Sequence, residues 1–209
     1  METNTWLSIR DQSLAIYARN AGFDLSIYEE YSETTQVELR KRAIDEALGG
    51  IATEIDEEHD VDVYDIERGV YVILLANPLA IRYRYGRSQV IYIGRGSIMG
   101  RIKSHFERSL FDFMNSLSGA NFDFWFAKPR LAGTEDYYKH IEHLMLSYFH
   151  EKFGGINDAR RFPILNKNAG AEKNIQAGDQ WWKKPLKTAG KRPLWELVPT
   201  NHSDFETLD

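Results

Sequence analysis

The segment "VIYIGRGSIMGRIKSHF", residues 90–106, changes from a strand pattern to a helix pattern around closely spaced glycines. Its first residues are apolar and β-branched, which is typical of a buried strand. Arg101 and His105 follow four positions apart, so one helical turn separates them. With Tyr92 and Arg95 at the end of the strand, the segment raises the question whether these four side chains form one site.

A partner strand is predicted upstream of this segment. "GVYVILLA" (69–76) is a continuous apolar run, and "QVIYIG" (89–94) is the strand expected to pair with it. The intervening "NPLAIRYRYGRS" (77–88) begins with an Asn-Pro turn signal, and we expect residues 81–87 to form an extended tip.

The remaining elements are predicted from their periodicity. Residues 98–117 and 134–155 have the spacing of amphipathic helices, residues 121–128 alternate as a strand, and residues 34–55 form a helix interrupted at Gly49-Gly50. Together they predict an α+β fold in which a small central antiparallel three-stranded sheet is flanked by helices. A mainly helical extension is expected before it.

Composition places the chain among globular proteins without disulfides. Of its 209 residues, 43% are hydrophobic and 13% aromatic, enough for a packed core. The absence of cysteine excludes disulfides, thiolate metal sites and cysteine nucleophiles. The sequence has no apolar run of about 18 residues. Its start does not resemble a secretory signal, so we expect a cytoplasmic protein with no membrane span.

Charge divides the chain into two parts. Residues 1–68 hold 17 acidic against 6 basic residues, a net charge of −11, whereas residues 69–209 hold 14 against 20, a net charge of +6. We interpret the second part as the functional domain, whose basic surface would favour a polyanion. The acidic first part is a helical buttress, a surface for a basic partner, or a cover for the basic face. The alternative is that both parts are ordinary solvated surfaces.

Glu142 lies on the apolar stripe of the helix predicted over residues 134–155. It is four residues from Tyr138 and three from Met145, which belong to that stripe, so we expect it to face the sheet rather than water. A carboxylate in such a position needs a cation or an ion pair. Glu142 therefore binds a metal ion or, alternatively, pairs with a nearby arginine.

In their order, these motifs resemble those of the GIY-YIG nuclease family. "GVY" (69–71) and "YIG" (92–94) stand in the two predicted strands, and matching residues follow on later elements. The resemblance covers roughly residues 69–170. The site residues that it implies are Tyr71, Tyr92, Arg101, His105, Glu142 and Asn166.

Two spacings depart from the family pattern. The 20 residues between the two tripeptides exceed the family's usual tight hairpin, which agrees with an extended tip over residues 81–87. Asn166 follows Glu142 by 24 residues, which is also long, and Asn168 competes with it for the asparagine position.

The resemblance implies hydrolysis of phosphodiester bonds with one divalent cation, Mg²⁺ or Mn²⁺, held by Glu142. It places Tyr71 and Tyr92 around the attacking water, and a tyrosine with a pKa of about 10 needs a partner that accepts a proton. His105 is the candidate partner, unless it is only packed on the inner face of its helix. Arg101 is the candidate phosphate clamp, since guanidinium binds phosphate through a bidentate fork.

A second set of basic residues is predicted to contact nucleic acid. The tip "RYRYGR" (82–87) interleaves arginine with tyrosine, which suits backbone contact and stacking. "QWWKKPLKTAGKRPLW" (180–195) repeats this composition, unless its tryptophans pack in the core. Arg95 adds a phosphate contact or is a solvated loop arginine. The predicted nucleic-acid-binding residues are Arg82, Arg84, Arg87, Arg95 and Lys103.

These residues predict a metal-dependent endonuclease that cuts duplex DNA, of the restriction type and acting as a homodimer or higher oligomer. A structure-specific repair nuclease and a mobile-element nuclease are alternatives within the family, and the sequence leaves DNA and RNA open. A different class is a non-catalytic nucleic-acid-binding module on the same scaffold. The full set of catalytic residue types argues against that class, because a degenerate copy should have lost some of them.

Overall fold

A four-stranded antiparallel sheet forms the centre of the molecule. The structure, a computed structural model, describes residues 1–117, 119–154, 163–166, 179–187 and 195–198. In chain order the strands are β1 (Trp6–Gln12), β2 (Gly69–Leu75), β3 (Leu79–Tyr83), β4 (Gly86–Ser88), β5 (Val90–Gly96), β6 (Phe122–Ala127) and β7 (Trp195–Leu197). The main sheet has the strand order β1-β6-β2-β5, and a small sheet has the order β4-β3-β7.

Helices cover the main sheet. Within the described residues, the α-helices are α1 (Leu14–Asn20), α2 (Glu33–His59), α3 (Ile98–His105), α4 (Phe111–Ser116) and α5 (Tyr137–Phe153). A π-helical turn, Phe106–Leu110, joins α3 to α4, so the two form one uninterrupted helical segment. No helix in these ranges combines the length and the apolar composition that crossing a bilayer requires.

The α+β fold and the three predicted strands are confirmed. β2 pairs antiparallel with β5 on one side and with β6 on the other. Every residue of β2 is buried. A strand with neighbours on both edges and helices on both faces has no solvated side, which explains its continuous apolar run.

The main sheet has one strand more than expected. β1, from the N-terminal extension, pairs antiparallel with the outer edge of β6. The pairing is irregular between Ile9 and Gln12, where Asp11 has a positive φ of 57°. Trp6 and Ile9 lie in the regular part of the ladder and face opposite sides of the sheet, and the bulge separates Ile9 from Gln12, so the three buried residues fall at every third position. The period of two that marks a strand is therefore missing from the sequence.

Two helix boundaries differ from the predicted ones. α2 continues through Gly49-Gly50, and the second glycine allows α1 to approach closely, since a Cβ on it would be 3.1 Å from the ring of Tyr17. α5 begins at Tyr137, with Asp136 rather than Thr134 at its N-cap.

The expected extended tip is a β-hairpin. β3 and β4 pair antiparallel, and β7 adds to the other edge of β3 in parallel. At the hairpin turn, the N–H of Tyr85 donates to the carbonyl of Phe153 at 2.9 Å. The small sheet is thus attached to the C-terminal end of α5.

The two faces of the main sheet carry different helices. Tyr71 lies opposite Gly94, two residues from Tyr92, so both tyrosines project from one face, on which α3 packs. Arg95 projects from the other face, because successive residues of a strand alternate, and there it meets Glu142 of α5. β5 is an outer strand of the sheet. The face of the sheet that carries the tyrosines and the face that carries Arg95 therefore meet at the edge formed by β5.

Candidate active site

Tyr71 and Tyr92 lie side by side over Gly94. Their ring centroids are 5.7 Å apart and the rings are inclined by 25°. A Cβ at Gly94 would come within 2.5 Å of both rings. Glycine is therefore required beneath the tyrosines, which gives the last residue of "YIG" a steric role.

Gly69, the first residue of "GVY", lets α3 approach the sheet. A Cβ on Gly69 would be 2.5 Å from Cδ1 of Ile98 and 2.8 Å from Cγ2 of Ile66. The N–H of Ile98 also donates to the carbonyl of Ile66 at 3.0 Å. The first turn of α3 is thereby fixed on the sheet, and its later turns carry Arg101 and His105 to the tyrosines.

His105 contacts both tyrosines. Its Nε2 is 2.7 Å from the hydroxyl oxygen of Tyr71. Its ring centroid is 4.1 Å from that of Tyr92. The structure therefore brings these three predicted site residues into one cluster.

The environment fixes the protonation states in this cluster. Burial raises the pKa of Tyr71 well above its ordinary value, as does the neighbouring Tyr92, whereas Arg101 opposes the rise. Burial, together with the positive charges of Arg101 and Arg108, lowers the pKa of His105 to about 4. At neutral pH Tyr71 keeps its proton and His105 is uncharged. In the tautomer of His105 that carries its proton on Nδ1, the Tyr71 hydroxyl donates this hydrogen bond to Nε2.

Arg101 places a positive charge beside the tyrosine hydroxyls. Burial raises the pKa of Tyr92, whereas the charge of Arg101 lowers it. Arg101 as a whole is exposed. Its guanidinium can therefore meet an anion from solution while it stays next to the buried cluster.

Glu142 is largely buried on α5 and forms an ion pair with Arg95. Its side chain is 12% exposed, and its Oε2 lies 2.5 Å from Nε of Arg95. The predicted inward orientation and the arginine pair offered as its alternative are both present, and Arg95 is not a solvated loop residue. Burial raises the pKa of Glu142, whereas Arg95 and Arg101 lower it. The Glu142 charge also raises the pKa of Tyr92, so the ion pair lies within electrostatic reach of the cluster.

Asn166 binds the backbone of β5 and is not part of the tyrosine cluster. Its Oδ1 accepts the N–H of Ile93 at 2.9 Å, and its Nδ2 donates to the Ile93 carbonyl at 2.7 Å. The N–H of Leu165 donates to the carbonyl of Ile91 at 3.0 Å. The buried amide therefore holds the outer edge of the strand. Asn168, the competing candidate, lies outside the described residues.

The predicted nucleic-acid-binding residues are spread over several elements. Arg82 and Arg87 lie opposite each other on β3 and β4, and both pair with Glu196 of β7. Arg84 lies near the hairpin turn, with its guanidinium carbon 5.4 Å from the ring centroid of the adjacent tyrosine. Lys103 is exposed on α3, where it lines a groove that α3 shares with α2. Of this set, Lys103 alone shares a helix with the candidate catalytic residues.

Two of the three tryptophans in the segment 180–195 pack against the core, whereas Trp195 is 67% exposed. Trp182 is buried, and the ring centroid of Trp181 is 5.8 Å from that of Trp6. The indole N–H of Trp6 donates to the Trp181 carbonyl at 3.1 Å. The core interpretation of these two tryptophans is therefore confirmed.

Two residues that hold segments carrying predicted site residues were missed in the sequence. Arg40 of α2 donates to the carbonyls of Phe106 and Glu107 in the π-helical turn directly after His105. Glu196 is the common partner of the two hairpin arginines. Both contact residues far away in the chain, and neither belongs to a local motif that could have marked it.

Comparison of the chain with protein-family models, curated proteins and solved structures found no match. The functional argument therefore depends on the arrangement of the side chains themselves.

Proposed function

We propose that this protein is a metal-dependent endonuclease of the GIY-YIG type that hydrolyses phosphodiester bonds in duplex DNA. One observation carries the proposal: a protonated Tyr71 is hydrogen-bonded to an uncharged His105, with Tyr92 alongside and the exposed Arg101 next to the hydroxyls. This arrangement combines a path for a proton with a binding group for phosphate.

The hydrogen bond gives a route for the proton of the attacking water. As the water oxygen bonds to phosphorus, the Tyr71 oxygen accepts the water proton and the tyrosine passes its own proton to Nε2 of His105. The bond between phosphorus and the leaving oxygen breaks, and solvent protonates that oxygen. Tyr71 remains a neutral phenol before and after the step, so its high pKa is no obstacle.

Substrate would also improve His105 as a proton acceptor. Arg101 is one of the causes of the low pKa of His105. A phosphate bound to the Arg101 guanidinium would offset that positive charge and raise the pKa of the imidazole. The base would therefore become stronger when the substrate is in place.

Glu142 is the candidate ligand for a divalent cation. Within the parts of the chain that the structure describes, no cluster of three or more acidic, histidine or cysteine side chains could hold a metal ion. Mg²⁺ in phosphate-processing sites often has one or two carboxylates, with water and substrate completing its shell, and a single buried carboxylate fits that chemistry. Such a cation would stabilise negative charge on the phosphate and on the leaving oxygen. Arg95 holds the Glu142 carboxylate in a fixed orientation.

We further propose a restriction-type enzyme that acts as a homodimer or higher oligomer. Each copy of the described chain carries one tyrosine cluster, so two copies would supply one cluster for each strand at the cleavage position. The exposed Lys103 and the hairpin arginines supply positive charge for the DNA backbone.

The proposal is tested with supercoiled plasmid, purified protein and Mg²⁺ or Mn²⁺. We expect cleavage that stops in excess EDTA. Glu142→Gln should fold and bind DNA like the wild type but lose at least about two orders of magnitude in cleavage rate, because the carboxylate charge that holds the cation is gone. Glu151→Gln, which removes the same charge from an exposed position on the same helix, should cut normally.

Two outcomes would contradict this assignment. Unchanged cleavage in EDTA would remove the metal from the mechanism. If Glu142 only stabilises the fold through Arg95, Glu142→Gln should melt early, with a loss on the order of 3 kcal/mol, and still cut at the normal rate per folded molecule.

A further inference from the structure

The small sheet holds a carboxylate between two arginines. Arg82 and Arg87 are directly opposed across the β3–β4 pair. Glu196 lies opposite Ala80 on the parallel strand β7, and Ala80 is two residues before Arg82. The three charged side chains therefore lie on the same face of the small sheet.

Glu196 is bound by both arginines. Its Oε2 is 3.3 Å from Nε of Arg82, and its Oε1 pairs with Nε of Arg87. Two like charges directly opposite each other on neighbouring strands destabilise a sheet unless an anion lies between them. The hairpin therefore presents a position that requires a negative group.

A phosphate matches this position as well as a carboxylate does. Arginine binds both groups through the same planar N–H donors. The side chains of Arg82 and Arg87 are 48% and 51% exposed, whereas Glu196 is 21% exposed. The donors thus face solution on their open side, and the carboxylate fills their inner side.

Glu196, the carboxylate between the two arginines, lies on β7, which few contacts hold in place. β7 has three residues and pairs with β3 alone among the described strands. Its first residue, Trp195, is 67% exposed. Few buried contacts therefore oppose the release of the strand.

We propose that Arg82 and Arg87 form a phosphate-binding site for the DNA backbone and that Glu196 is its internal occupant, which DNA displaces on binding. The inference rests on the proposed function in that it takes duplex DNA as the ligand. An internal competitor lowers the apparent affinity of a site by the fraction of molecules in which the site is open. β7 therefore limits the binding of DNA to the hairpin without contacting the tyrosine cluster.

The test is equilibrium binding of a short labelled DNA duplex in EDTA, so that no cleavage occurs. Glu196→Gln should bind roughly tenfold more tightly than the wild type, because the competing charge is removed. Glu46→Gln is the matched control, since it removes the same charge from an exposed position on α2, and its affinity should change much less. In the triple variant Glu196→Gln, Arg82→Ala, Arg87→Ala, the gain in DNA affinity caused by Glu196→Gln should disappear.

Wild-type affinity in Glu196→Gln, or a gain that persists in the triple variant, would overturn the inference. A second measurement needs no variant: on addition of DNA to the wild type, the amides of residues 195–197 should exchange their hydrogens faster, and unchanged or slower exchange contradicts displacement. Plasmid cleavage separates the two proposals. Tighter DNA binding by Glu196→Gln without any plasmid cleavage would support the phosphate site and reject the nuclease. Cleavage with unchanged binding by Glu196→Gln would support the nuclease and reject the phosphate site.

Discussion

The Tyr71–His105 hydrogen bond joins two groups whose pKa values move in opposite directions. Burial raises the pKa of the phenol and lowers that of the imidazole, because it disfavours the charged form of each. Both groups are uncharged over a wide pH range, and their bond is stable over the same range. The stability of the fold should therefore depend on the charge of His105.

Replacing His105 with glutamine should change the pH dependence of stability. The folded-state pKa of His105 is about 4, below its ordinary value, so the unfolded chain binds more protons between those two values. The stability contributed by the neutral imidazole is complete above pH about 6.5 and is lost as the pH falls toward 4. The unfolding free energy of the wild type minus that of His105→Gln should fall by at most about 3 kcal/mol over this window. A constant difference would show that His105 titrates normally.

Gly94→Ala tests the packing of the tyrosines. The new methyl would lie within 2.5 Å of both rings, so the tyrosines or β5 must shift. We expect a loss of about 1–3 kcal/mol in urea unfolding and strongly reduced cleavage. Gly49→Ala is the control, because nothing lies within 4 Å of its Cβ position and alanine favours the helix by about 1 kcal/mol. Equal stability of the two variants would contradict the steric role of Gly94.

The sequence predicted part of the tyrosine cluster, but not what each of the expected site residues binds. Tyr71 was placed with Tyr92 by the family resemblance, and Arg95, which was expected with them, projects from the opposite face of β5. The partner of Asn166 is the backbone of Ile93, and a main-chain partner leaves no mark on the sequence. For Glu142, periodicity predicted burial but could not choose between arginine and metal.

At the scale of elements, the π-helical turn is the least regular part of the site. A π-turn weakens the regular pairing of backbone groups, and such turns occur frequently at functional sites. Here Arg40 of α2 supplies donors to the carbonyls of Phe106 and Glu107, and its Nη1 is 2.7 Å from Asp112. Its guanidinium carbon also lies 4.9 Å from the ring centroid of Phe111. α2 therefore supports the segment that follows His105.

Arg40→Met should retain the packing on Phe111 but lose these hydrogen bonds. We expect a loss of about 1–3 kcal/mol in stability and a lower kcat with an unchanged KM, because His105 is less well positioned. In a His105→Ala background, the same substitution should not lower kcat further. Arg42→Met, which breaks only an exposed pair with Glu38, should change stability by less than about 1 kcal/mol. If kcat falls equally in both backgrounds, Arg40 does not act through His105.

Helices and strands whose apolar residues recur with a regular period were predicted, and those shaped by tertiary contacts were not. β2 and α5 have long apolar patterns that match their burial. β1 was missed because its buried residues do not alternate, and the interruption that the glycine pair predicted in α2 is absent. In α2 the second glycine accommodates the ring of Tyr17, a contact that only the folded chain reveals.

At the scale of the molecule, the acidic extension and the basic part share one sheet. β1 pairs with β6, with Trp6 opposite Ala127 and Ile9 opposite Phe124. The fully buried Ile9 and the buried residues of α1 and α2 belong to the same core as the tyrosine cluster. The buttress interpretation of residues 1–68 agrees best with this packing.

A fragment of residues 69–209 should therefore not fold alone. Without β1 the edge of β6 is open, and apolar side chains under α1 and α2 are exposed. We expect no cooperative thermal transition for the fragment under conditions in which the full chain melts cooperatively. A soluble fragment with its own sharp transition would show that the second part is an independent domain.

The amide clamp on β5 has a consequence for self-association. An outer strand normally offers free N–H and C=O groups to another chain, and such edges template aggregation. Asn166 and Leu165 already occupy three of these groups on Ile91 and Ile93. A second copy cannot extend the sheet there, so subunits that meet at the β5 edge must do so through side chains rather than through a continuous β-sheet. Asn166, which secures a strand of the candidate active site, therefore also prevents fibrillar growth from this edge.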